Sequence, residues 1–422
     1  MKNKISTVKG AREFYPEKMA VRTWLYESIR AVSELFGYEE YEAPFLEKLE
    51  LYAAKSGEEL VKEQSFVFPD RGGDMIALRP ELTPSLARMV TKKQNELIYP
   101  LRWWSFGPFW RYERPQKGRT REFFQWNIDL IGVDTAEADA ELVAIAAMFL
   151  KKIGFKPDEV QVLINDRQLM DDELAALKIT GELKKSVFKL IDRKDKLPHD
   201  KWLEFALELG LEEYQVNGIN KLLDDSNLWE KSERLKRVFS ILDAMGVSEY
   251  ITFSTRIIRG LDYYTGIVFE AVSLKENGRS VLGGGHYANL VEDVGGKPLT
   301  GVGFAMGDVM VSVLLEKYNL VPENVSQHTN IMVAVFNQDY IEEAYRLANE
   351  LRMKSLNIIC YPEATKLGKQ YKFASRIGCD IVLVIGPDEI ENEQVAIKNM
   401  KDGKQSLVDR EDVLLKILQM LA

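Results

Sequence analysis

A short basic segment, residues 111–121, concentrates the side chains best suited to bind phosphate. Glu113 is its single acid. Its five cations are Arg111, Arg114, Lys117, Arg119 and Arg121. Arginine binds two phosphate oxygens at once through its planar guanidinium. The segment therefore favours a mobile loop that closes over a polyphosphate or an RNA end. A solvated basic turn without a ligand is the alternative, which composition alone leaves open.

The next strand, FFQWNIDLIG, would present two different faces. Side chains alternate along a strand, so Gln125, Asn127 and Asp129 share one face. The opposite face is aromatic and aliphatic, and we expect it to pack in a core. Three polar groups beside aromatic rings suit the floor of a site for a small polar ligand. A solvent-facing side of a strand explains the same pattern equally well.

The segment LRPELTP places a carboxylate close to a helix start. Glu81 and Thr83 lie two residues apart after a β-prone run, where Glu81 could hold an ammonium group. Thr83 could instead cap the following helix, since Pro84 suits a first helical position. The two roles are compatible with each other.

Two further segments combine glycine with chemically active side chains. In RGLDYYTG, Arg259 precedes a glycine, Asp262 and the pair Tyr263 and Tyr264. The strand is otherwise apolar, so a buried arginine there must meet an anion or a carboxylate. The run Gly-Gly-Gly at 283–285 permits either close approach of another backbone or a tight turn. It lacks the Lys-Ser/Thr of a P-loop, and no dinucleotide-binding glycine motif follows a predicted strand.

The composition excludes several classes of protein. Hydrophobic residues make up 46% and charged residues 29% of the 422 residues, with a net charge of −9, which is typical of a globular chain. No apolar run reaches the roughly 18 residues of a membrane helix, and the first residues lack a signal-peptide core. Two cysteines and three histidines argue against a disulfide framework or a zinc cluster. We expect a cytoplasmic protein.

The hydrophobic pattern predicts two domains. Residues 1–325 carry a hairpin at 64–79 and aromatic β-prone runs at 102–112 and 123–132, which indicate antiparallel strands flanked by helices. A charged helical insertion occupies about 169–248. Residues 330–422 alternate strands with helices, which predicts a small, mostly parallel α/β domain.

Together these segments resemble the class II aminoacyl-tRNA synthetases, and within them the histidyl-tRNA synthetases. GYEEYEAPFLE, with Pro44, is similar to motif 1, the dimer-interface helix and strand. FWRYERPQKGRTREFFQ is similar to motif 2, and RGLDYYTGIVFE resembles the histidine-specific signature. The resemblance runs from KGAREFYPE near the start into the C-terminal α/β domain, so it covers nearly the whole chain.

The resemblance implies a fold and an activity. The fold would be an α+β catalytic domain, with an antiparallel sheet flanked by helices and a helical insertion, followed by an α/β anticodon-binding domain. The activity would be ATP-dependent attachment of histidine to tRNA(His) through a histidyl-adenylate, as part of protein biosynthesis. ATP would be a substrate with Mg²⁺, no protein metal ligand is assigned, and the chain would form a homodimer.

The resemblance also implies roles for individual residues. Those around histidine would be Glu81, Thr83, Gln125, Asp129, Tyr263 and Tyr264. Those at ATP would be Arg111, Glu113, Arg119, Phe123 and Arg259, with Arg111 and Arg259 at the α-phosphate and Phe123 stacked on adenine. Arg114 and Gln116 would face the acceptor end of the tRNA.

The sequence departs from the family pattern in two places. The third motif usually reads G-F-A-M-G-x-E-R, whereas GFAMGDVM places Val309 and Met310 at the glutamate and arginine positions. The glycine-rich segment usually continues G-G-R-Y-D, whereas this chain has His286, Tyr287 and Ala288. We expect an open ATP pocket with Phe123 on one side and Met310 near the other, and a missing charge supplied by another basic side chain or by Mg²⁺.

Two other functions remain compatible with the resemblance. One is a non-catalytic regulatory subunit of ATP phosphoribosyltransferase in histidine biosynthesis, a class that commonly lacks the C-terminal domain and the motif 2 loop. Both are present here, which favours the ligase. The other is a tRNA-binding protein without ligase activity.

Overall fold

The computed structural model describes residues 5–55, 64–116, 118–258, 264–275, 279–323, 325 and 331–421. The chain divides into two units, Met1–Pro322 and Glu323–Ala422. Within the described ranges, no helix is both long enough and apolar enough to cross a membrane.

The first unit is organised around one large sheet. Its strands in chain order are β1 (Glu39–Glu40), β2 (Leu46–Lys48), β3 (Phe66–Pro69), β4 (Met75–Leu78), β5 (Leu101–Trp110), β6 (Glu122–Ile131), β7 (Val160–Asp166), β8 (Ile251–Phe253), β9 (Ile267–Ser273), β10 (Ser280–Tyr287) and β11 (Gly301–Gly307). Eight of them form the large sheet in the order β1-β5-β6-β11-β10-β9-β7-β8, and β2-β4-β3 form a small one.

The expected antiparallel sheet is confirmed in its centre, and the hairpin of β3 and β4 is confirmed as well. The edges differ, because β1 runs parallel to β5 and β8 runs parallel to β7. Each parallel pair is joined by a long connection that contains helices, which a parallel crossover requires.

Ten helices lie among the described residues of the first unit. They are α1 (Pro16–Leu35), α2 (Leu49–Lys55), α3 (Thr83–Lys93), α4 (Ala136–Lys152), α5 (Arg167–Ala176), α6 (Gly181–Asp192), α7 (His199–Glu208), α8 (Glu213–Asp224), α9 (Glu233–Ala244) and α10 (Asp308–Lys317). Helices α5 to α9 follow one another without an intervening strand, in the region where the sequence indicates a helical insertion.

Helix α4 is the central helix against the sheet. Its first turn is capped by the Thr135 hydroxyl, which accepts a hydrogen bond from the Ala138 amide at 3.2 Å. Lysines in the last turn complement the helix dipole. Trp126 of the sheet and Phe149 of the helix pack with their ring planes tilted by 58° and their centroids 5.0 Å apart. This core fixes the orientation of β6, so the polar face of β6 is fixed as well.

The second unit is a five-stranded sheet with helices. Its strands are β12 (Ile331–Val335), β13 (Ile358–Cys360), β14 (Ile381–Ile385), β15 (Gln394–Asn399) and β16 (Gln405–Asp409), in the order β13-β12-β14-β15-β16. Its helices are α11 (Ile341–Arg352), α12 (Leu367–Arg376), α13 (Pro387–Glu391) and α14 (Val413–Leu421).

The expected mostly parallel sheet is correct for half of this unit. Strands β13, β12 and β14 are parallel, whereas β15 and β16 pair antiparallel. The turn between β15 and β16 is too short for a parallel crossover. Sequence analysis missed β16, whose residues are mostly exposed and carry no alternating apolar signal.

A buried arginine joins three segments of the first unit. The Arg79 side chain is fully buried, and its Nε donates to the Pro108 carbonyl at 2.9 Å. One terminal nitrogen donates to the Ala43 carbonyl at 3.0 Å and also pairs with the Glu42 carboxylate. The guanidinium lies over the Phe45 ring, 4.6 Å from its centroid. Arg79 therefore ties the region of β1 and β2 to β5 and to the turn before α3.

Gly107 leaves the space that this guanidinium occupies. A Cβ at position 107 would overlap a terminal nitrogen of Arg79 and lie 2.7 Å from the Glu42 carboxylate. The buried Arg79 guanidinium cannot move aside without losing its partners, so position 107 of β5 requires glycine.

We predict that Gly107→Ala lowers the free energy of unfolding by about 1–3 kcal/mol, the range for overpacking a core. Chemical denaturation would measure it. Gly307→Ala is the matched control, because the space around a Cβ at Gly307 is open and its φ is ordinary. It should cost less than about 1 kcal/mol, because Gly307 is the N-cap of α10, where alanine is less favourable than glycine. Equal stability of the two variants would contradict the role given to Arg79.

Candidate active site

An open pocket of about 240 Å³ lies between the basic segment, the start of β10 and the junction of β11 with α10. The residues that line it are Arg111, Glu113, Gly118, Arg119, Thr120, Phe123, Gln125, Ser280, Val281, Leu282, Gly283, Ala305, Gly307, Val309 and Met310. The pocket thus brings together two cations, an aromatic ring and polar groups from three parts of the chain.

The two arginines of this pocket are held in different ways. The Nε of Arg111 donates to the Pro80 carbonyl at 3.0 Å, and its guanidinium lies 5.3 Å from the centroid of the Phe123 ring. Arg119 forms an ion pair with Glu113 at 3.3 Å, and 63% of its side chain is exposed. Arg111 is therefore fixed at the base of the pocket, while Arg119 lies at its rim.

The tip of the basic segment is a tight turn. The amides of Gln116 and Arg119 each donate to the other residue's carbonyl, at 3.0 and 2.9 Å. Gly118 has φ +86°, a conformation that favours glycine. Arg114 and Gln116 are exposed, and Lys117 lies outside the described residues.

Phe123 and Met310 both line this pocket. The Phe123 ring stacks on Phe109, with centroids 5.9 Å apart and planes 27° from parallel. Phe109 is fully buried, so the ring of Phe123 is supported from behind. The thioether of Met310 offers a flexible apolar surface to the same space.

The first residue of α10 anchors the N-terminal segment beside this pocket. Both oxygens of Asp308 accept hydrogen bonds from Arg12, at 3.0 and 2.9 Å, and one also accepts from the Phe124 amide at 2.8 Å. Burial raises the pKa of Asp308, although Arg12 and the Phe124 amide oppose that shift. The pair holds the backbone next to Phe123 in place.

The polar face of β6 forms a buried row. Gln125 and Asn127 are 8% and 6% exposed, so the alternative of a solvent-facing strand is wrong. The amide of Gln125 donates to the Asn127 side-chain oxygen at 2.8 Å. Asp129 accepts a hydrogen bond from the Tyr287 hydroxyl at 3.0 Å. Burial raises the pKa of Asp129 to about 7, and the Tyr287 hydrogen bond only partly opposes it.

The remaining sequence-indicated residues divide into two sets. Glu81 and Thr83 closely follow Pro80, whose carbonyl accepts a hydrogen bond from Arg111. Their backbone therefore lies near the base of the pocket. The expected cap by Thr83 is wrong, because Leu82 occupies the N-cap position of α3 and no side chain caps the helix. Arg259 and Tyr263 lie outside the described residues.

The glycine run lies inside strand β10, so the tight-turn alternative is wrong. A Cβ at Gly285 would lie 2.8 Å from the Ile267 carbonyl and 2.9 Å from the Tyr264 ring. A Cβ at Gly284 would overlap the neighbouring backbone of β11. The glycines therefore let β9, β10 and β11 approach closely, and they bring Tyr264 against β10.

His286 joins the strand to the helical insertion through a buried ionic cluster. Its Nδ1 lies 2.8 Å from Asp139, and its Nε2 lies 2.8 Å from the Thr300 hydroxyl. Arg234 of α9 donates to Asp139 at 2.6 Å and to Asp134 at 2.7 Å. The cluster fixes the backbone immediately before Tyr287.

No group of three or more histidine, cysteine, aspartate or glutamate side chains in the described part of the chain could hold a metal ion. A hard cation such as Mg²⁺ often needs just one or two protein carboxylates when a substrate phosphate supplies the other oxygens. Glu113 contributes a carboxylate to the pocket wall, which fits that arrangement.

Sequence reasoning assigned no role to Tyr287, Asp308 or Arg12. Tyr287 could have been found from the alternation along β10, which places it on the opposite face from His286. The contact between Asp308 and Arg12 joins residues 296 positions apart, and no local pattern indicates it.

Comparison with known proteins identifies the family. A family model described as "Histidyl-tRNA synthetase" matches residues 10–309, and one described as "Anticodon binding domain" matches residues 330–420. The histidine–tRNA ligase of Leptospira biflexa is 35% identical, covering 98% of this chain and 97% of its own. That of Haloarcula marismortui is 34% identical, covering 94% of each chain.

Solved structures agree on the fold. A histidyl-tRNA synthetase from Nostoc has a TM-score of 0.85 at 24% identity, covering 99% of this chain and all of its own. The apo enzyme of S. aureus has a TM-score of 0.76 at 22% identity, covering 98% and 99%. With a family match over residues 10–309 and relatives similar along nearly its whole length, the chain belongs to the histidyl-tRNA synthetase family.

Proposed function

We propose that this chain charges tRNA(His) with histidine, using ATP to form a histidyl-adenylate intermediate. The observation that carries the proposal is the pocket in which Arg111 and Arg119 accompany Phe123 and Met310, with the polar row of β6 entering at Gln125. Cations suited to phosphate, apolar side chains suited to contact adenine and a polar floor all serve amino-acid activation.

In the first step, a carboxylate oxygen of histidine attacks the α-phosphorus of ATP. The bond from that phosphorus to the bridging oxygen breaks, and pyrophosphate leaves with the electron pair. Such a reaction depends on positioning and charge stabilisation more than on a protein base. Arg111, fixed by the Pro80 carbonyl, is suited to hold the α-phosphate, and we assign Arg259 the same task. In the second step, the histidyl group passes to the 3′ end of the tRNA.

ATP would lie with its adenine between Phe123 and Met310. Arg119 would reach the outer phosphates from the rim. Mg²⁺ would neutralise phosphate charge, and Glu113 of the pocket wall would help to hold it.

Histidine would lie on the polar row. Its ring needs polar partners on both nitrogens, and Asp129, held by Tyr287, can supply one of them. Gln125 would contribute to the same floor. The remaining contacts would come from Glu81, Thr83, Tyr263 and Tyr264.

The tRNA would contact two separate regions. The exposed side chains of Arg114 and Gln116 are suited to the acceptor end. The second unit, which we assign to residues 330–422, would bind the anticodon, as its family match suggests. Residues 1–325, including the insertion at 169–248, would form the catalytic domain.

A homodimer is part of the proposal. The small sheet and the turn before it expose large apolar side chains at Phe45, Leu46, Phe68 and Met75. Such a cluster beside motif 1 favours burial against a second copy. A cytoplasmic location is supported by Cys360 and Cys379, which are free thiols in two separate places.

The regulatory-subunit alternative has a structural counterpart. A Bacillus halodurans structure titled "ATP phosphoribosyltransferase regulatory subunit/histidyl-tRNA synthetase" has a TM-score of 0.73 at 23% identity, covering 88% of this chain and 97% of its own. The open pocket with its arginines favours the ligase instead.

The unmodified protein should catalyse histidine-dependent exchange between ATP and pyrophosphate. Arg111→Ala should lower the rate roughly 10²–10³-fold, the effect of losing one preorganised donor. Arg30→Ala, which removes an exposed arginine of α1, is the control and should leave the rate unchanged. Absence of exchange in the folded, unmodified protein would refute the ligase function.

Histidine binding should weaken as the pH falls through about 7. Above that pH the ionised Asp129 accepts hydrogen bonds from both Tyr287 and the substrate ring, and below it protonation removes acceptor capacity. The KM for histidine should rise by up to about tenfold per pH unit below the pKa. The Asp129→Asn variant retains the titration of histidine itself, so parallel profiles of the two proteins would contradict the assignment.

Removal of residues 323–422 should affect adenylate formation and tRNA charging to different extents. Exchange should persist, while charging of tRNA(His) should fall on the order of 10²-fold or more, because one of two binding modules is lost. Circular dichroism would verify that the truncated protein is folded. Equal loss of both activities in a folded truncation would argue against a separable tRNA-binding unit.

A further inference from the structure

The missing arginine of the third motif leaves a problem of charge. Met310 can contact adenine, but its side chain carries no charge to offset the phosphates of ATP. A ligase that uses this pocket needs another cation near the same place.

Arg279 lies at that place. A Cβ built on Gly118 would be 3.1 Å from the sulfur of Met310 and 3.7 Å from a terminal guanidinium nitrogen of Arg279. Both side chains therefore converge on the tip of the basic segment. Arg279 reaches it from the opposite wall of the pocket, because the next four residues, 280–283, all line that wall.

A hydrogen bond fixes the backbone of Arg279, although its side chain is exposed. The Ser273 amide donates to the Arg279 carbonyl at 3.0 Å, which closes the connection between β9 and β10. The strand that follows is buried from Val281 onward. A guanidinium on a fixed base loses less freedom when it binds a phosphate.

The other arginines near the pocket already have partners. Arg12 is paired with Asp308, Arg119 with Glu113, and Arg111 donates to the Pro80 carbonyl. Among the described residues, no carboxylate lies within ion-pair distance of the Arg279 guanidinium. Its charge remains available for a ligand.

We propose that Arg279 supplies the positive charge that the third-motif arginine provides elsewhere in the family, and that it binds the outer phosphates of ATP. The task of one arginine is then divided between two residues. Met310 covers the adenine, and Arg279 carries the charge. The inference rests on the proposed function, since it assigns ATP to this pocket.

The first test compares Arg279→Ala with Lys275→Ala. Lys275 lies in the same connection, but its amine faces Asp158 and the Tyr318 ring, away from the pocket. Loss of Arg279 should raise the KM for ATP in the exchange reaction roughly 10–100-fold, the effect of one charge-assisted contact. The KM for histidine should change little, and Lys275→Ala should behave like the unmodified protein.

The second test restores the family arginine. Met310→Arg placed in the Arg279→Ala protein should recover most of the lost ATP affinity, because the charge returns to the same space. Met310→Arg alone should gain little, since Arg279 already fills the role. This rescue would not occur if Arg279 merely stabilised the fold.

A direct binding measurement separates this inference from the ligase function. Titration of each resting protein with a non-hydrolysable ATP analogue and Mg²⁺ should show the same loss and the same rescue, whether or not exchange occurs. Exchange without any effect of Arg279→Ala on ATP would overturn the role of Arg279 and leave the ligase function intact. If exchange is absent but ATP binding still depends on Arg279, the ligase function would be overturned and the role of Arg279 would stand. An equal loss of ATP and histidine binding, without rescue by Met310→Arg, would also overturn it.

Discussion

The buried guanidinium of Arg79 is the interaction on which the arrangement of the pocket depends. Charge inside a protein core is tolerated only when its donors are matched, and here the acceptors come from Pro108, Ala43 and Glu42. Those acceptors belong to two segments, residues 42–43 and strand β5, so satisfying one side chain aligns both of them with the turn that carries Arg79. The residue that follows, Pro80, offers the carbonyl that holds Arg111. The position of Arg111, which we assign to the α-phosphate, thus depends on the buried Arg79.

Glycine is the second constraint, because it sets how closely the strands approach. Gly303 lies opposite Asp129, and a Cβ there would overlap the carboxylate. Gly285 admits Tyr264 against β10 in the same way. A glycine on the neighbouring strand leaves space that a polar side chain can fill, so the polar group can be buried beside the sheet. The polar floor is therefore accommodated by small neighbours on β11, which are Gly303 opposite Asp129, Ala305 opposite Asn127 and Gly307 opposite Gln125.

The arginines around the pocket differ in how strongly their partners hold them, and that difference matches their proposed tasks. Arg12 is paired with a buried aspartate, Arg111 with a carbonyl, and the exposed Arg119 with the partly buried Glu113. Exposed pairs contribute little to stability, so a ligand can replace them at little cost. Firmly paired arginines shape the pocket, whereas the loosely held ones at its rim remain able to follow a phosphate chain.

The sequence by itself indicated the helical insertion, the hairpin of β3 and β4, the alternation of strands and helices in the second unit, the polar face of β6 and the basic segment, because periodicity and local charge are short-range properties. The family resemblance added the activity. Tertiary structure decided that β10 holds the glycine run, that Asp308 reaches Arg12, and that Arg279 converges with Met310 on Gly118. These contacts join residues far apart in the chain, and no spacing rule encodes them, since they depend on strand order in the sheet.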